Sequence, residues 1–116
     1  MPGTEIELNH PTDIQFDDQG RLILMAWHNH KIRVLDPDTG LVRVITGLGV
    51  GFVDNVIAKD ARLNQPPHGV LDASGNLFFV DQRNQRIRMI TNYSGLRENA
   101  MVSSIAGTGV LGFNGD

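Results

Sequence analysis

Two four-residue segments, 55 positions apart, concentrate the side chains that could bind a ligand. The first is Trp27-His28-Asn29-His30 and the second is Gln82-Arg83-Asn84-Gln85. An exposed indole offers an apolar surface with one hydrogen-bond donor, and imidazole, amide and guanidinium groups add donors and acceptors. We therefore expect a ligand-binding surface, with the candidate residues Trp27, His28, His30, Gln82, Arg83 and Gln85. The alternative is structural, with the indole packed inside the protein and the histidines at strand ends.

Asp13 and His68 form a second candidate site because they occupy equivalent positions at the same offset. A carboxylate and an imidazole could hold water, a cation or a polar ligand, or they could simply line a wet surface. The histidines of the first segment would become a metal site only if symmetry brought several copies together. No nucleophile and no paired carboxylates accompany these groups, so we assign no catalytic residue, resident metal or cofactor.

Two motif-like stretches are interpreted as loops. Residues 107–112 have the G-x-G-x-x-G spacing of a dinucleotide-binding loop, but the equivalent residues 47–51 have a different spacing and no helical pattern follows. Residues 36–40 resemble the start of a calcium-binding loop, but its twelfth position is Gly47, where such a loop needs a bidentate glutamate. Turn chemistry explains both stretches.

Composition limits the classes of partner. The chain of 116 residues has a formal net charge of -3 and no run of Lys or Arg, so we expect no nucleic-acid partner. It has no apolar run of about 18 residues and no signal-peptide core, so we expect a soluble chain without a membrane partner or export signal. The absence of cysteine excludes disulfides and thiolate metal sites.

An internal repeat organises these candidate sites. At an offset of 55 residues, the two copies align without a gap from the N-terminus to Gly40, and the alignment resumes after an insertion that follows Gly95. The identical pairs are Leu8/Leu63, Asn9/Asn64, Pro11/Pro66, Asp17/Asp72, Gly20/Gly75, Leu22/Leu77, Asn29/Asn84, Ile32/Ile87, Arg33/Arg88 and Gly40/Gly95. Residues 112–116 also parallel residues 51–55. We assign residues 1–55 to a first unit and residues 56–116 to a second.

Each unit is predicted to form a four-stranded antiparallel sheet. Short apolar runs alternate with Asp, Asn, Ser and Gly, which favour turns. The predicted strands are residues 13–17, 22–26, 31–35 and 41–45 in the first unit and 70–72, 77–81, 86–90 and 101–105 in the second. The second strand of each unit is apolar on both faces, so we expect the sheets to stack. In the third strand, arginine alternates with apolar residues and lies on the opposite face.

The second unit resembles the repeats of bacterial NHL-repeat β-propellers. The matching pattern comprises residues 65–66, 70–81, 84–88, 106–109 and 112–116. The first unit follows the pattern but has Ala26 in place of Asp81 and His30 in place of Gln85. The resemblance implies an all-β fold of two four-stranded propeller blades.

The same resemblance implies roles for several polar residues. Asp81 and Asn84 would satisfy backbone amides of the loop between the second and third strands, and Arg86 would stack between blades. The Trp27 segment would lie on the face where propellers usually bind ligands. Asp13 and His68 would lie at the mouth of the central channel.

Ring closure and function follow from the resemblance as expectations. NHL repeats close as rings, most often of six blades, so we expect three copies to associate head to tail into a homotrimer, with residues 112–116 of one copy beside residues 1–11 of the next. The favoured function is a non-enzymatic binding or scaffold module for a small molecule, glycan or protein. One alternative is a lyase or a lactonase-type hydrolase with a metal in the channel, and another is a natural or engineered fragment selected only for assembly.

Overall fold

The computed structural model describes residues 1–91 and 99–112, which form two antiparallel β-sheets. The first sheet contains β1 (Pro11–Phe16), β2 (Leu22–Ala26), β3 (Lys31–Leu35) and β4 (Val42–Thr46) in sequence order. The second sheet contains β5 (Val56–Ile57), β6 (Gly69–Leu71), β7 (Leu77–Asp81), β8 (Arg86–Thr91) and β9 (Met101–Ala106). The all-β prediction is confirmed, while the parallel between residues 113–116 and the central segment lies outside the described residues.

The second sheet has one strand more than predicted. Its order is β5-β9-β8-β7-β6, so the two-residue strand β5 joins the outer edge next to β9. The first residues of the chain repeat this arrangement, because the Val42 amide donates to the Met1 carbonyl at 2.8 Å and Pro2 forms a bridge with Leu41. In both sheets, therefore, the residues that cover the outer edge precede the innermost strand in the chain.

Aspartates close two equivalent turns, one between β1 and β2 and the other between β6 and β7. The Asp17 carboxylate accepts from the Gln19 and Arg21 amides at 2.9 and 2.8 Å, and the Asp72 carboxylate accepts from two amides at 2.9 Å. The Gly20 backbone completes the first turn at a φ of 78°, which glycine adopts without steric cost. These turns have the side-chain to backbone bonds that the sequence predicts.

The core lies between the two sheets. The joined face of the first sheet presents Ile23, Met25, Ile32 and Val34, and the joined face of the second presents Leu77, Phe79, Ile90 and Val102. All eight side chains are buried. Burying each such side chain stabilises the fold by about 1.5–3 kcal/mol, so the contact between sheets is a main source of stability.

Gly69 allows the innermost strand of the second sheet to approach the first sheet closely. A Cβ atom at this position would collide with the Met25 side chain and would lie 3.1 Å from the Phe78 carbonyl oxygen. Glycine is therefore required here by packing, and Met25 occupies the space that a larger side chain would take.

The third-strand alternation is confirmed, but the arginine face of the second sheet is the buried one. Arg88 has 0% relative exposure, whereas the neighbouring Ile87 is 36% exposed. A buried arginine requires hydrogen-bonding partners, and Arg88 has them in the Asp81 carboxylate and nearby backbone carbonyls.

Candidate functional site

Trp27, His28 and His10 form an aromatic cluster at the end of β2. The indole and the His28 ring stack with centroids 4.0 Å apart, and the His10 ring meets the indole edge-on at 6.0 Å. The Nδ1 atoms of the two histidines are 2.6 Å apart, so one ring donates a hydrogen bond to the other. We call these three residues the Trp27 cluster, and it presents rings and imidazole nitrogens to a ligand.

The Trp27 cluster is fixed to the second sheet by one hydrogen bond. Trp27 Nε1 donates to Gln82 Oε1 at 2.8 Å. Each of the two residues begins a short 3-10 turn: Trp27–Asn29 follows β2 in the first sheet, and Gln82–Asn84 follows β7 in the second. The structure thus brings the two predicted segments together and makes Trp27 both half-exposed and part of the contact between sheets.

His30 lies at the joint between the sheets. Its Nδ1 accepts a hydrogen bond from the Gln65 amide at 3.1 Å, so this nitrogen is unprotonated in the folded protein. Burial lowers the pKa of His30, the charges of His28 and Lys31 lower it further, and Asp81 opposes them. His30 therefore supports the joint in its neutral form.

Arg83 and Gln85 lie apart from the Trp27 cluster. Arg83 is exposed, and its amide donates to the Asn64 carbonyl at 3.0 Å. Gln85 lines an open groove of about 320 Å³ together with Asp81 and Arg86. Gln82, which is bonded to Trp27, lines the same groove and links it to the Trp27 cluster, whereas Arg83 does not line it. The binding roles of the six predicted residues stay predictions.

Asp13 and His68 lie next to each other at the joint between the sheets. His68 Nδ1 lies 3.7 Å from Asp13 Oδ2, and the same carboxylate oxygen accepts from the Gly69 amide at 3.3 Å. The His68 side chain is 67% exposed. This pair can hydrogen-bond to a polar ligand, and its role in a channel stays a prediction.

The described residues contain no group of three or more metal-ligating His, Asp or Glu side chains. Within the same residues, no helix is long and apolar enough to cross a membrane. The side chains of the two candidate sites can offer hydrogen bonds and contact with aromatic rings.

A buried ionic network holds the second sheet to the segment that enters it. Asp81 accepts from the Asn64 amide at 2.7 Å, from Asn84 Nδ2 at 2.8 Å and from Arg88 Nη1 at 3.0 Å. The Asp54 carboxylate lies 3.5 Å from Arg88 Nη2. Asp81 was expected to satisfy amides of the loop between β7 and β8, but the amide that it binds is that of Asn64, which precedes β6, and it also pairs with a buried charge.

Residues on both sides of β5 complete the surroundings of Arg88. Its guanidinium donates to the Arg62 carbonyl at 2.8 Å and to the Val53 carbonyl. The centroid of the Phe52 ring lies 4.8 Å from Cζ of Arg88 and 3.9 Å from Cζ of Arg86, and the expected stacking of Arg86 between blades stays a prediction. Asn84 binds the Gly51 carbonyl through Nδ2, so it satisfies an acceptor instead of the backbone amide that was expected.

Two important residues were not singled out from the sequence. His10 joins the Trp27 cluster because its backbone has a φ of 52°, which turns it away from β1, and no local pattern indicates this. Arg88 was seen only as part of an alternating strand. The acidic residue Asp81, seven residues earlier in the sequence, was the feature that could have indicated a buried partner for Arg88.

Comparison with curated proteins finds relatives among much longer proteins. The chain is 37% identical over 89 residues to protein SUPPRESSOR OF QUENCHING 1, chloroplastic, of Arabidopsis thaliana, covering 76% of this chain and 8% of that protein. It is 31% and 30% identical over 93 residues to NHL repeat-containing protein 2 of Bos taurus and Homo sapiens, covering 76% of this chain and 12% of each protein.

The chain therefore spans between 8% and 12% of the length of these relatives. No protein-family model matches it. The relatives named are from a plant and from mammals, so the expected link to bacterial repeats stays a prediction.

Proposed function

We propose that this chain, which belongs to the NHL-repeat proteins, is a non-enzymatic binding or scaffold module of a β-propeller. Its two sheets correspond to two neighbouring blades. Propellers are stabilised by packing blade on blade around a ring, so each blade needs a neighbour on both faces.

One observation carries the proposal. In the repeat, the residues on each open sheet face are equivalent to residues on a face that is buried between the two sheets. The open face of the second sheet presents Phe78, Val80, Ile87 and Met89, which are 55 positions after the residues on the joined face of the first sheet. The open face of the first sheet presents Ile14, Phe16, Leu22, Leu24, Lys31, Arg33 and Leu35, which correspond to the joined face of the second. Each open face therefore repeats a surface that already packs against its complement.

A head-to-tail contact between copies would also cover exposed apolar residues. Ile14, Phe16 and Val70 are 62%, 67% and 61% exposed. Leu8 is 42% exposed, whereas the identical residue of the repeat, Leu63, has 0% exposure beneath the first sheet. We propose that three copies close into a six-bladed ring, with contacts that each bury about 1,200–2,000 Å² in total.

The Trp27 cluster is the proposed ligand surface of this module. Aromatic rings with adjacent hydrogen-bonding groups suit a small molecule, a glycan or a protein side chain. The cluster lies where one sheet is bonded to the next through Trp27 and Gln82, so ring closure would repeat it around one face. Calorimetry of a Trp27→Ala, His28→Ala variant against a ligand panel tests this surface, and unchanged binding would exclude it.

The assembly is tested by the molar mass in solution. Light scattering should give three times the monomer mass of 12.8 kDa, and dilution should dissociate the ring because its contacts are intermolecular. Ile14→Glu should give a folded monomer, since it places a charge on an open face. Leu41→Glu is the matched control, because Leu41 is also an exposed apolar residue but lies on the opposite side of its sheet from Val42 and Leu35. A monodisperse monomer of the unaltered chain would refute the ring.

A further inference from the structure

Arg33 is a cation without a counterpart among the described residues. It is equivalent to Arg88, but Ala26 occupies the position of the Asp81 carboxylate. The Nε atom of Arg33 is buried and has no hydrogen-bond partner, as is also true of the Nε atom of Arg88, but Arg88 has the Asp81 carboxylate and Arg33 has none. Burial lowers the pKa of this guanidinium, and no neighbouring charge contributes to the shift. The open face of the first sheet thus carries an uncompensated positive charge.

The surroundings of Arg88 show which groups contact an arginine at this position of the repeat when a neighbouring segment packs against it. Besides Asp81, its acceptors are the Arg62 carbonyl, the Val53 carbonyl and the Asp54 carboxylate, and Phe52 stacks against it. Phe52, Val53 and Asp54 belong to one extended segment that leaves β4 of the neighbouring sheet. The filled position therefore recognises an aromatic residue followed two positions later by an acid.

We propose that the Arg33 face of the first sheet is a docking site for the outgoing segment of another blade of this repeat type, with the sequence Phe-Xaa-Asp. The segment's aromatic ring stacks on Lys31 and Arg33, which replace Arg86 and Arg88. Its carboxylate neutralises Arg33. This proposal rests on the proposed scaffold function and deepens it, because it states the chemistry that a neighbouring blade must carry to fit the first sheet. Residues 52–54 have this sequence, whereas residues 113–116 read Phe-Asn-Gly-Asp and have their acid one position later, so a ring of identical copies would bring the aromatic residue with a displaced acid.

The requirement for an acid is stricter at Arg33 than at Arg88. Arg88 keeps the Asp81 carboxylate at 3.0 Å even without the incoming segment, whereas Arg33 has only Ala26, with 0% exposure, at that position. Arg33 is half-buried, and an unpaired charge that is partly removed from water is costly, so the incoming carboxylate supplies the counterpart that the first sheet lacks.

The position of Met1 allows the segment to be tested within one molecule. Met1 is equivalent to Val56, and both begin the pairing with the outer strand of their sheets. Adding Gly-Phe-Val-Asp-Asn, the sequence of residues 51–55, directly before Met1 places the segment beside Arg33 at a high effective concentration. A second version with Asn in place of the Asp is the matched control.

Urea unfolding of both extended chains gives the decisive comparison. The version with Asp should have an unfolding equilibrium constant about tenfold lower than the version with Asn, because a hydrogen bond to a charged group is made only in the first. In the Arg33→Met background, which keeps the unbranched apolar stem of the side chain but removes its charge, the two extensions should be equivalent. In the Ala26→Asp background the advantage of the Asp extension should shrink, since the sheet then has its own carboxylate.

Two results would overturn the proposal. The first is equal stability of the Asp and Asn extensions on the unaltered chain, and the second is an advantage of Asp that persists after Arg33→Met. The measurements are made at a concentration at which light scattering shows a monomer. They therefore report on Arg33 alone and are independent of whether copies of the chain close into a ring.

Discussion

Removing the Asp81 carboxylate should destabilise the protein severely. Asp81→Ala removes hydrogen bonds to the Asn64 amide, Asn84 and Arg88, and all three are made by a side chain with 0% exposure. Arg88 would remain buried, with backbone carbonyls and the more distant Asp54 as its acceptors. Breaking a buried pair by removing one partner typically costs about 3–5 kcal/mol. A domain of this size is stable by only about 5–15 kcal/mol, so much of its stability depends on this side chain.

Urea denaturation followed by fluorescence measures this loss. Trp27 is the single tryptophan of the chain and is bonded to Gln82 across the joint, so its emission reports separation of the sheets. The midpoint should fall strongly for Asp81→Ala. Asp72→Ala is the control, because this carboxylate also accepts amide hydrogen bonds but lies in an exposed turn, and it should shift the midpoint much less.

A double-mutant cycle separates the ion pair from the backbone bond. Arg88→Met should reduce the cost of Asp81→Ala, because no charge is then left unpaired in the core. Equal losses of unfolding free energy in the Asp81→Ala and Asp72→Ala variants would refute the reasoning. The Asp81 network would then contribute no more to stability than a surface turn.

Three further outcomes are expected. Ala26→Asp should raise the unfolding free energy by about 1 kcal/mol in urea titrations, because it gives Arg33 the counterpart that it lacks; a lower midpoint would contradict this. Gly69→Ala should lower that free energy by about 1–3 kcal/mol through collision with Met25, and Met25→Ala in the same chain should relieve part of the loss. Stability should fall as pH decreases through the interval between 6.5, the ordinary histidine pKa, and the lower pKa of folded His30. The folded state then binds fewer protons than the unfolded state, and His30→Gln should flatten this step in urea midpoints measured across that range.

Much of the fold could be predicted from the sequence because it depends on local patterns. The boundaries of β2, β3 and β7 agree with the predicted strands, since apolar runs there end at residues that form tight turns. Strand β5 was missed because Val56 and Ile57 are too few to show a period. The burial of Arg88 was missed because alternation separates two faces without stating which one is covered.

The candidate sites were predictable to a smaller extent. The repeat placed Asp13 beside His68 and Trp27 beside Gln82, because an offset shared by two copies indicates which positions neighbour each other in stacked sheets. It could not show that His10 joins the Trp27 cluster or that His30 supports the joint. These contacts depend on positive backbone φ angles at His10, His30 and Gln65, which are rare for such residues and have no sequence signature here.

The outer edge of each sheet is paired with residues that come early in the chain, and this affects the order in which the protein unfolds. Strand β5 bonds to β9, which lies more than 40 residues later in the chain, and Met1 bonds to Val42 across a similar separation. These pairings close long loops with only a few hydrogen bonds, whereas hairpins such as β2–β3 close short ones. Amide hydrogen exchange should therefore be fast at Val42 and at the β5–β9 edge and slow along β2 and β7, so that each sheet opens from its rim while its centre is still folded.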